Sequence, residues 1–249
     1  MRLDRFLSEA GAGSRSEVKL AIKKGLVSVN GKILKDAGSR VAEGEDIVCF
    51  NGQPLSFSKN HYYMLYKPAG VVTATRDDRQ KTVLDLLTDV PVKGIFPVGR
   101  LDKDTEGLLL LTDDGALAHE LLSPKKHVDK TYLAEIKEPL SIGSASALRQ
   151  GVDIGDEKPT APAGIELLEG NRILITVQEG RYHQIKRMLK AVGNEVIYLK
   201  RLSMGSLILD ECLNAGEYRP LKETEIEALK KEYMHGSKRK SPEKETAGI

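Results

Sequence analysis

Hydrophobic residues near the start of the chain recur at helical spacing. Leu3, Phe6, Leu7 and Ala10 occupy positions i, i+3, i+4 and i+7, and Gly11 follows directly. Residues at these intervals share one face of a helix, and glycine favours the end of a helix. The pattern therefore predicts a short amphipathic first helix.

A second helix is predicted over residues 15–24. Ser14 and Glu17 have the spacing of a capping box, in which each side chain bonds to the backbone of the other residue. An apolar stripe of Val18, Ala21 and Ile22 follows, and Gly25 indicates the helix end. Basic residues spaced by four line one edge of this helix: Arg15, Lys19 and Lys23, extended by Lys24. Such a stripe fits a solvated face or a contact with nucleic acid.

A β-hairpin is predicted directly after the second helix. Asn30-Gly31 lies between Val27-Ser28-Val29 and Ile33, and both turn residues tolerate the positive φ that a tight hairpin requires. Short apolar runs continue from Val41 to Gln53, whereas Pro54 to Asn60 is polar and irregular. We therefore predict a linker there and a domain boundary near residue 59.

From His61 onward, strand and helix patterns are mixed. Strands are predicted at 62–66, 108–112, 131–136 and 173–177, and helices near 82–88, 115–122 and 222–233. This order favours an α+β domain with a largely antiparallel sheet. The last stretch, 236–249, has no apolar periodicity and contains Lys238-Arg239-Lys240, which predicts a disordered, weakly basic tail.

A further helix is predicted to begin near Arg181. Ile185, Met188, Leu189 and Val192 would form its core stripe. Four basic side chains would project from the opposite side: His183, Lys186, Arg187 and Lys190. By itself, this side favours an ordinary solvent-exposed surface over a contact with RNA.

Composition adds bounds on function. Hydrophobic residues make up 40% of the 249, which is enough for a substantial core, and the formal net charge is only +2. Any nucleic-acid affinity must therefore come from local basic patches. Cys49 and Cys212 belong to no Cys/His cluster, so a structural zinc site is not expected. No apolar leader or membrane-length segment is present, and we expect a soluble, cytoplasmic protein.

An acidic loop is predicted between Ile95-Phe96 and Leu108–Leu111. Its three acids, Asp102, Asp104 and Glu106, match positions 1, 3 and 5 of an EF-hand calcium loop. Gly107 and Asp113 match positions 6 and 12. An EF-hand requires a helix on each side, whereas the flanks here carry glycines, a proline and a strand pattern. Asp104 and Glu106 are better interpreted as turn residues that bond to backbone amides.

Asp102 differs because its neighbours match a family. The string G-R-L-D-x-D-T-x-G-L-L-L-L-T-x-D-G, from Gly99 to Gly115, resembles the catalytic segment of the RsuA-like pseudouridine synthases. Three further segments follow the family order: Tyr66–Gly70, Lys130–Leu133 and Glu179–Met188. The N-terminal helices and V-x-V-N-G-K, with Lys32, resemble the S4-type RNA-binding domain. The resemblance covers nearly everything before residue 235 and implies an S4-type domain followed by a catalytic domain at 60–235.

The resemblance also implies roles for individual residues. Asp102 would be the nucleophile, Tyr132 would stack on the target uracil, Ile185 would pack on it, and Lys186 would supply the counter-charge. Many related synthases have arginine where Lys186 stands. The resemblance further implies loop-ordering or phosphate-contacting roles for Arg100, Arg181 and Gln184. Whether the carboxylate attacks C1′, attacks C6 or promotes a glycal route stays open.

The implied substrate is ribosomal RNA, within a partly assembled subunit, and no cofactor or metal is required. The segment Tyr182–Arg187 resembles the small-subunit enzymes, which favours 16S over 23S rRNA. The resemblance implies RNA contacts at Arg15, Lys19, Lys23, Lys24, Lys32, His183, Arg187 and Lys190, and we expect a monomer. The rival hypothesis is a non-catalytic S4-domain protein of ribosome assembly.

Overall fold

The computed structural model describes residues 1–42, 45–55, 60–90 and 92–233. The chain divides into two compact units, Met1–Lys59 and Asn60–Ile249. The tail predicted at 236–249 lies outside the described residues. No helix in the described ranges is long and apolar enough to cross a membrane.

The first unit begins with two helices. Helix α1 spans Leu3–Glu9 and α2 spans Arg15–Lys23. Ser14 caps α2 as predicted: its side chain accepts the Glu17 backbone N–H, and the Glu17 carboxylate accepts the Ser14 N–H at 2.8 Å. The apolar face of each helix is buried together with the strands that follow: Leu3, Phe6 and Leu7 of α1, and Val18 and Ile22 of α2. The two-helix prediction is confirmed.

A four-stranded antiparallel sheet completes the first unit. Strands β1 (Val27–Val29), β2 (Lys32–Ile33), β3 (Val48–Phe50) and β4 (Gln53–Leu55) have the order β2-β1-β3-β4. Asn30 and Gly31 have φ values of 49° and 78°, which confirms the predicted hairpin turn. The linker prediction is wrong at its start, because Pro54 lies within β4. A proline is tolerated there since β4 is an edge strand.

The described residues of the second unit form nine strands and four α-helices. In chain order these are β5 (Tyr62–Lys67), β6 (Phe96–Pro97), β7 (Glu106–Thr112), α3 (Gly115–Leu122), β8 (Lys130–Ile136), α4 (Ile142–Gln150), β9 (Gly164–Leu167), β10 (Arg172–Val177), α5 (Gln184–Ala191), β11 (Val196–Met204), β12 (Leu207–Ile208), β13 (Tyr218–Pro220) and α6 (Glu223–Tyr233).

One mixed sheet organises this unit. Its order is β13-β5-β7-β11-β8-β10-β9, with β6 paired to β7 and β12 to β11. Every pairing is antiparallel except β7 with β11, so the predicted α+β class with a largely antiparallel sheet is confirmed. Leu109 and Leu111 pack in one hydrophobic layer and Leu108 and Leu110 in the other, which explains the continuous apolar run of β7.

Two helix predictions differ from the structure. Residues 82–88 contain only a 3₁₀ turn at Leu84–Leu86. The Asp85 carboxylate accepts both the backbone N–H and the hydroxyl of Thr82, which holds the segment as a local turn. The helix predicted from Arg181 begins at Gln184, because His183 has left-handed backbone angles, with φ at 48°.

Candidate active site

A buried lysine supports the acidic loop between β6 and β7. The Lys67 ammonium is fully buried and donates hydrogen bonds to the carbonyls of Pro68, Lys103 and Thr105, at 3.0, 3.2 and 2.8 Å. Gly70 N–H donates to the same Lys103 carbonyl at 2.8 Å. These bonds fix the backbone directly after Asp102, at Lys103 and Thr105, so a well-supported loop presents the carboxylate.

Gly107 allows the loop to enter the sheet. Its φ is +103°, and a Cβ atom there would lie 2.2 Å from the Arg201 carbonyl oxygen. Gly107 pairs with Arg201 at the parallel junction of β7 and β11. Any side chain at this position would separate the two strands that carry the loop and the cavity wall.

Asp102 lies beside two basic side chains of the segment around α5. Lys186 Nζ is 3.1 Å from Asp102 Oδ2, and His183 Nε2 is 3.6 Å from Asp102 Oδ1. The Asp102 side chain is 26% exposed, so it can still be reached by a ligand. The structure thus brings together Asp102 and Lys186, the acid and the counter-charge that the family resemblance paired.

Lys186 also bridges to Asp104, whose Oδ1 is 2.5 Å from Lys186 Nζ. Burial opposes the charged ammonium, but hydrogen bonds and charges from Asp104 and Asp102 outweigh it and raise the pKa of Lys186. In turn, the hydrogen bond from Lys186 lowers the pKa of Asp104. The site therefore holds a protonated lysine between two carboxylates.

Asp104 does bond to backbone, at its own amide, but its closest partner is a side chain, and the same expectation for Glu106 is wrong. Asp104 binds Lys186, and Glu106 Oε2 accepts hydrogen bonds from the hydroxyls of Tyr198, at 2.8 Å, and Tyr66, at 3.4 Å. Both tyrosines reach Glu106 from neighbouring strands, which local sequence could not indicate. Across the described residues, no three His, Cys, Asp or Glu side chains form a group suited to a metal ion.

A cavity of about 830 Å³ opens next to Asp102. Tyr132 of β8 and Ile185 of α5 line it and are 8% and 5% exposed. Arg100 also lines it and is exposed, without a hydrogen bond or ion pair to any residue that the structure describes. An aromatic ring, an aliphatic side chain and a carboxylate therefore meet around one space of nucleotide size.

Arg181 and Gln184 order the turn before α5. The Arg181 guanidinium donates to the Glu179 carboxylate and to the carbonyls of Lys158 and Pro159. Gln184 accepts the Arg181 N–H at 2.9 Å and donates to Glu179 at 2.8 Å. Both side chains are engaged within the protein, which fits loop ordering better than contact with phosphate.

Arg187 corrects the prediction of a uniformly RNA-facing helix side. Its guanidinium donates to the Ile154 and Tyr182 carbonyls and forms an ion pair with Asp156. It therefore anchors α5 to the loop between α4 and β9. Lys190 is exposed, as predicted, and His183 is half-buried with its ring stacked on Tyr182 at 3.8 Å between centroids. The predicted core stripe of α5 is confirmed, with Met188 and Leu189 fully buried.

Three buried cations were missed by the sequence analysis: Lys67, Lys130 and Arg201. Lys67 and Lys130 lie in segments that resemble the family, but the resemblance assigned no role to either residue. Burial is the main reason why the pKa values of Lys67 and Lys130 are lowered to about 8. Strand alternation could have indicated Lys130, since it shares the inward register of Tyr132.

The basic residues predicted in the first unit are all exposed: Arg15, Lys19, Lys23, Lys24 and Lys32. None forms an ion pair with a described residue. Their charge is therefore available to a ligand outside the chain.

The matches to known families follow the two units. Residues 1–47 match the S4 domain, and residues 61–191 match RNA pseudouridylate synthase. An S4 domain followed by such a unit defines an RNA-modifying enzyme. The chain belongs to the RNA pseudouridylate synthase family.

Individual relatives agree over almost the full length. The chain is 50% identical to a Bacillus subtilis protein named uncharacterized RNA pseudouridine synthase YtzG, over 92% of this chain and 98% of that protein. It is 41% identical to ribosomal small subunit pseudouridine synthase A of Haemophilus influenzae, over 93% of this chain and 100% of that protein. A solved pseudouridylate synthase superposes with a TM-score of 0.66 at 40% identity, over 92% of this chain and 99% of that one. The resemblance to RsuA-like synthases is confirmed.

Proposed function

We propose that this enzyme converts a uridine of 16S ribosomal RNA to pseudouridine in the cytoplasm, with Asp102 as the nucleophile. The observation that carries the proposal is the pairing of Asp102 with Lys186 at 3.1 Å beside the cavity lined by Tyr132 and Ile185. A carboxylate, its counter-charge and a base-sized apolar space are the groups that this isomerisation needs.

Lys186 supplies the counter-charge of the nucleophile. When RNA covers the site, loss of water would destabilise the charged carboxylate of Asp102. The adjacent ammonium opposes this change because it stabilises the carboxylate charge. Asp104 holds Lys186 in place from the other side, at 2.5 Å.

Tyr132 and Ile185 receive the base. A uridine in folded RNA must leave its stack before Asp102 can reach the sugar, so the enzyme binds a flipped nucleotide. The Tyr132 ring stacks on the uracil, and the Ile185 side chain packs on it. Because both side chains are buried, they are held in position before the RNA binds.

The reaction is an isomerisation and requires no co-reactant. The bond between N1 and C1′ breaks, uracil turns within the cavity, and a bond forms between C5 and C1′. C5 then loses a proton and N1 gains one, so the atoms balance. The protein supplies the carboxylate, the orientation of the base and the exclusion of water.

The choice of small-subunit rRNA is supported by the Haemophilus influenzae relative and by the segment Tyr182–Arg187. The exposed basic residues of the first unit supply RNA affinity without base readout. A non-catalytic assembly factor is disfavoured, because such a protein has no need for a charged cluster around Asp102. The protein acts as a monomer on a partly assembled subunit.

Asp102→Asn tests the nucleophile, with Asp104→Asn as the matched variant in the same loop. We expect Asp102→Asn to lower turnover by at least about 10³-fold while RNA binding persists. Asp104→Asn should cost about tenfold, since Lys186 keeps its contact with Asp102. Pseudouridine formation in purified RNA measures both. Equal losses in the two variants would contradict the assignment of Asp102.

Chemical mapping of pseudouridine tests the substrate. Purified 16S and 23S transcripts, free and in partly assembled particles, are treated with the protein and compared with the Asp102→Asn control. We expect one modified uridine in 16S rRNA. A signal confined to 23S rRNA would overturn the substrate assignment and leave the enzyme class intact.

A further inference from the structure

Two cations missed by the sequence analysis lie together at the cavity that contains Asp102. Arg201 pairs with Tyr132 across β11 and β8, and Lys130 lies two residues before Tyr132 on the same strand face. Both line the cavity and are only 2% and 8% exposed. We call Lys130 and Arg201 the cationic pair.

Hydrogen bonding leaves the charge of the cationic pair largely uncompensated. Lys130 Nζ donates to the Val128 carbonyl at 2.9 Å, and Arg201 Nε donates to the Leu108 carbonyl at 2.7 Å. Arg201 Nη2 is buried and has no hydrogen-bond partner among the described residues. Neither side chain forms an ion pair with a described carboxylate, although the charge of Asp129 acts on Lys130.

The two cations also repel each other. Burial and then the charge of Arg201 lower the pKa of Lys130 to about 8. Two buried cations with carbonyl partners are costly to the fold, and an uncharged residue could fill the same space at less cost. The bond to Leu108 links β11 to β7 next to their paired residues Arg201 and Gly107, but it uses one of the five donors of Arg201.

We propose that the cationic pair stabilises the negative charge that uracil acquires during the reaction, an inference that rests on the proposed function. When the bond between N1 and C1′ breaks, its electron pair stays on uracil and spreads to the ring carbonyl oxygens. Attack at C6 would also place negative charge on the ring, at C5 and the C4 carbonyl oxygen. Fixed cations in a water-poor cavity are well suited to stabilise such a charge.

Geometry supports this assignment over a general affinity for phosphate. The cationic pair is buried at the side of Tyr132, where the base is held, whereas Asp102 lies in the loop that reaches the sugar. Uracil bound between them would leave the carboxylate as its bond to C1′ breaks and would approach the positive charge. A phosphate group would require cations with greater exposure.

The test compares uridine and 5-fluorouridine at the target position under single-turnover conditions. Fluorine withdraws electrons and stabilises the uracil anion, so less help is needed from the protein. We expect Lys130→Met to slow the consumption of uridine by about 100-fold with unchanged RNA affinity. The loss on 5-fluorouridine should be at least about tenfold smaller. Chromatography of the nucleoside digest measures both rates.

Matched variants separate charge from structure. Arg201→Lys keeps the charge and should retain more activity than Arg201→Met, and thermal unfolding shows whether either variant is folded. Lys137→Met removes an exposed lysine just after β8 and should change neither rate. If Arg201→Met does not fold, Lys130→Met still decides the outcome.

Equal losses on the two substrates in folded Lys130→Met would overturn the inference and assign the residue to structure. A loss that appears only in RNA affinity would also overturn it. Failure of the proposed function gives a different result: the unchanged enzyme would form no pseudouridine in either ribosomal RNA.

Discussion

The basic residues of α2 in the first unit and those around Asp102 in the second unit are used in opposite ways. In the first unit, Arg15, Lys19 and Lys23 are exposed along α2 and make no ion pair with a described residue. In the second unit, Lys67 and Lys186 are engaged at close range by carbonyls and carboxylates. Exposed charges attract a polyanion over a distance, whereas buried ones fix the position of a particular atom.

This contrast explains how an RNA enzyme can have a net charge of only +2. Many cations of the second unit are neutralised within the fold, as Arg187 is by Asp156 and Arg219 is by Asp210 and Glu225. Attraction to RNA then depends on a small number of exposed residues. The comparison predicts that substitutions in the second unit alter turnover, while those in the first alter affinity.

Among the basic residues compared, the largest effect is expected for Lys67→Met. This change leaves the carbonyls of Pro68, Lys103 and Thr105 without their buried donor, and the Asp102 loop loses its support. We expect the free energy of unfolding to fall by about 3 kcal/mol and turnover by about 10³-fold. Denaturant unfolding and single-turnover assays measure the two losses. Normal turnover in this variant would remove Lys67 from the positioning of Asp102.

Lys186→Met should have the next largest effect. Without the ammonium, Asp102 and Asp104 lose their shared partner, and the charge of the Asp102 carboxylate is no longer compensated at close range. We expect turnover to fall by about 100-fold with little change in affinity. Lys186→Arg restores the charge and should recover most of the rate. An affinity loss without a rate loss would place Lys186 with the exposed residues of the first unit.

Burial of Lys67 also predicts a pH effect on stability. Its pKa is lowered from 10.5 to about 8 in the folded protein, chiefly by burial. Between these values the unfolded chain binds more protons, so this residue makes the folded state more stable as pH rises from about 8 to 10.5. The stability difference between the unchanged protein and Lys67→Met should therefore grow across that range. Denaturant unfolding at several pH values measures it, and Lys137→Met is the control.

Local sequence predicted the elements whose causes are local. The capping box of Ser14 and Glu17 and the turn at Asn30-Gly31 depend on contacts within a few residues, and both are present. Continuous apolar runs likewise predicted the strands that are buried on both faces. The 3₁₀ turn at Leu84–Leu86 was missed because Asp85 bonds back to Thr82 and ends the helical pattern.

The site was predictable only in part, because its contacts join distant residues. Lys186 and Arg187 are neighbours with similar chemistry, and periodicity placed them on the same side of α5. Their different roles depend on Asp104, which is 82 residues from Lys186, and on Asp156, which is 31 from Arg187. Lys130 and Arg201 were missed for a related reason, since a lysine or arginine is ordinarily exposed.

The smallest effect on catalysis is expected from the first unit. The double change Lys19→Gln and Lys23→Gln removes two exposed charges of α2 without disturbing its buried side. We expect KM for RNA to rise about tenfold at moderate salt, with kcat unchanged, because each charge releases counterions from the RNA backbone. The slope of log affinity against log salt should decrease by about 1.4 for two lost contacts to single-stranded RNA. Leu20→Gln, an exposed position on the same helix, is the uncharged control. A fall in kcat without a change in salt slope would show that the first unit contributes to catalysis itself, and the division between the two units would not hold.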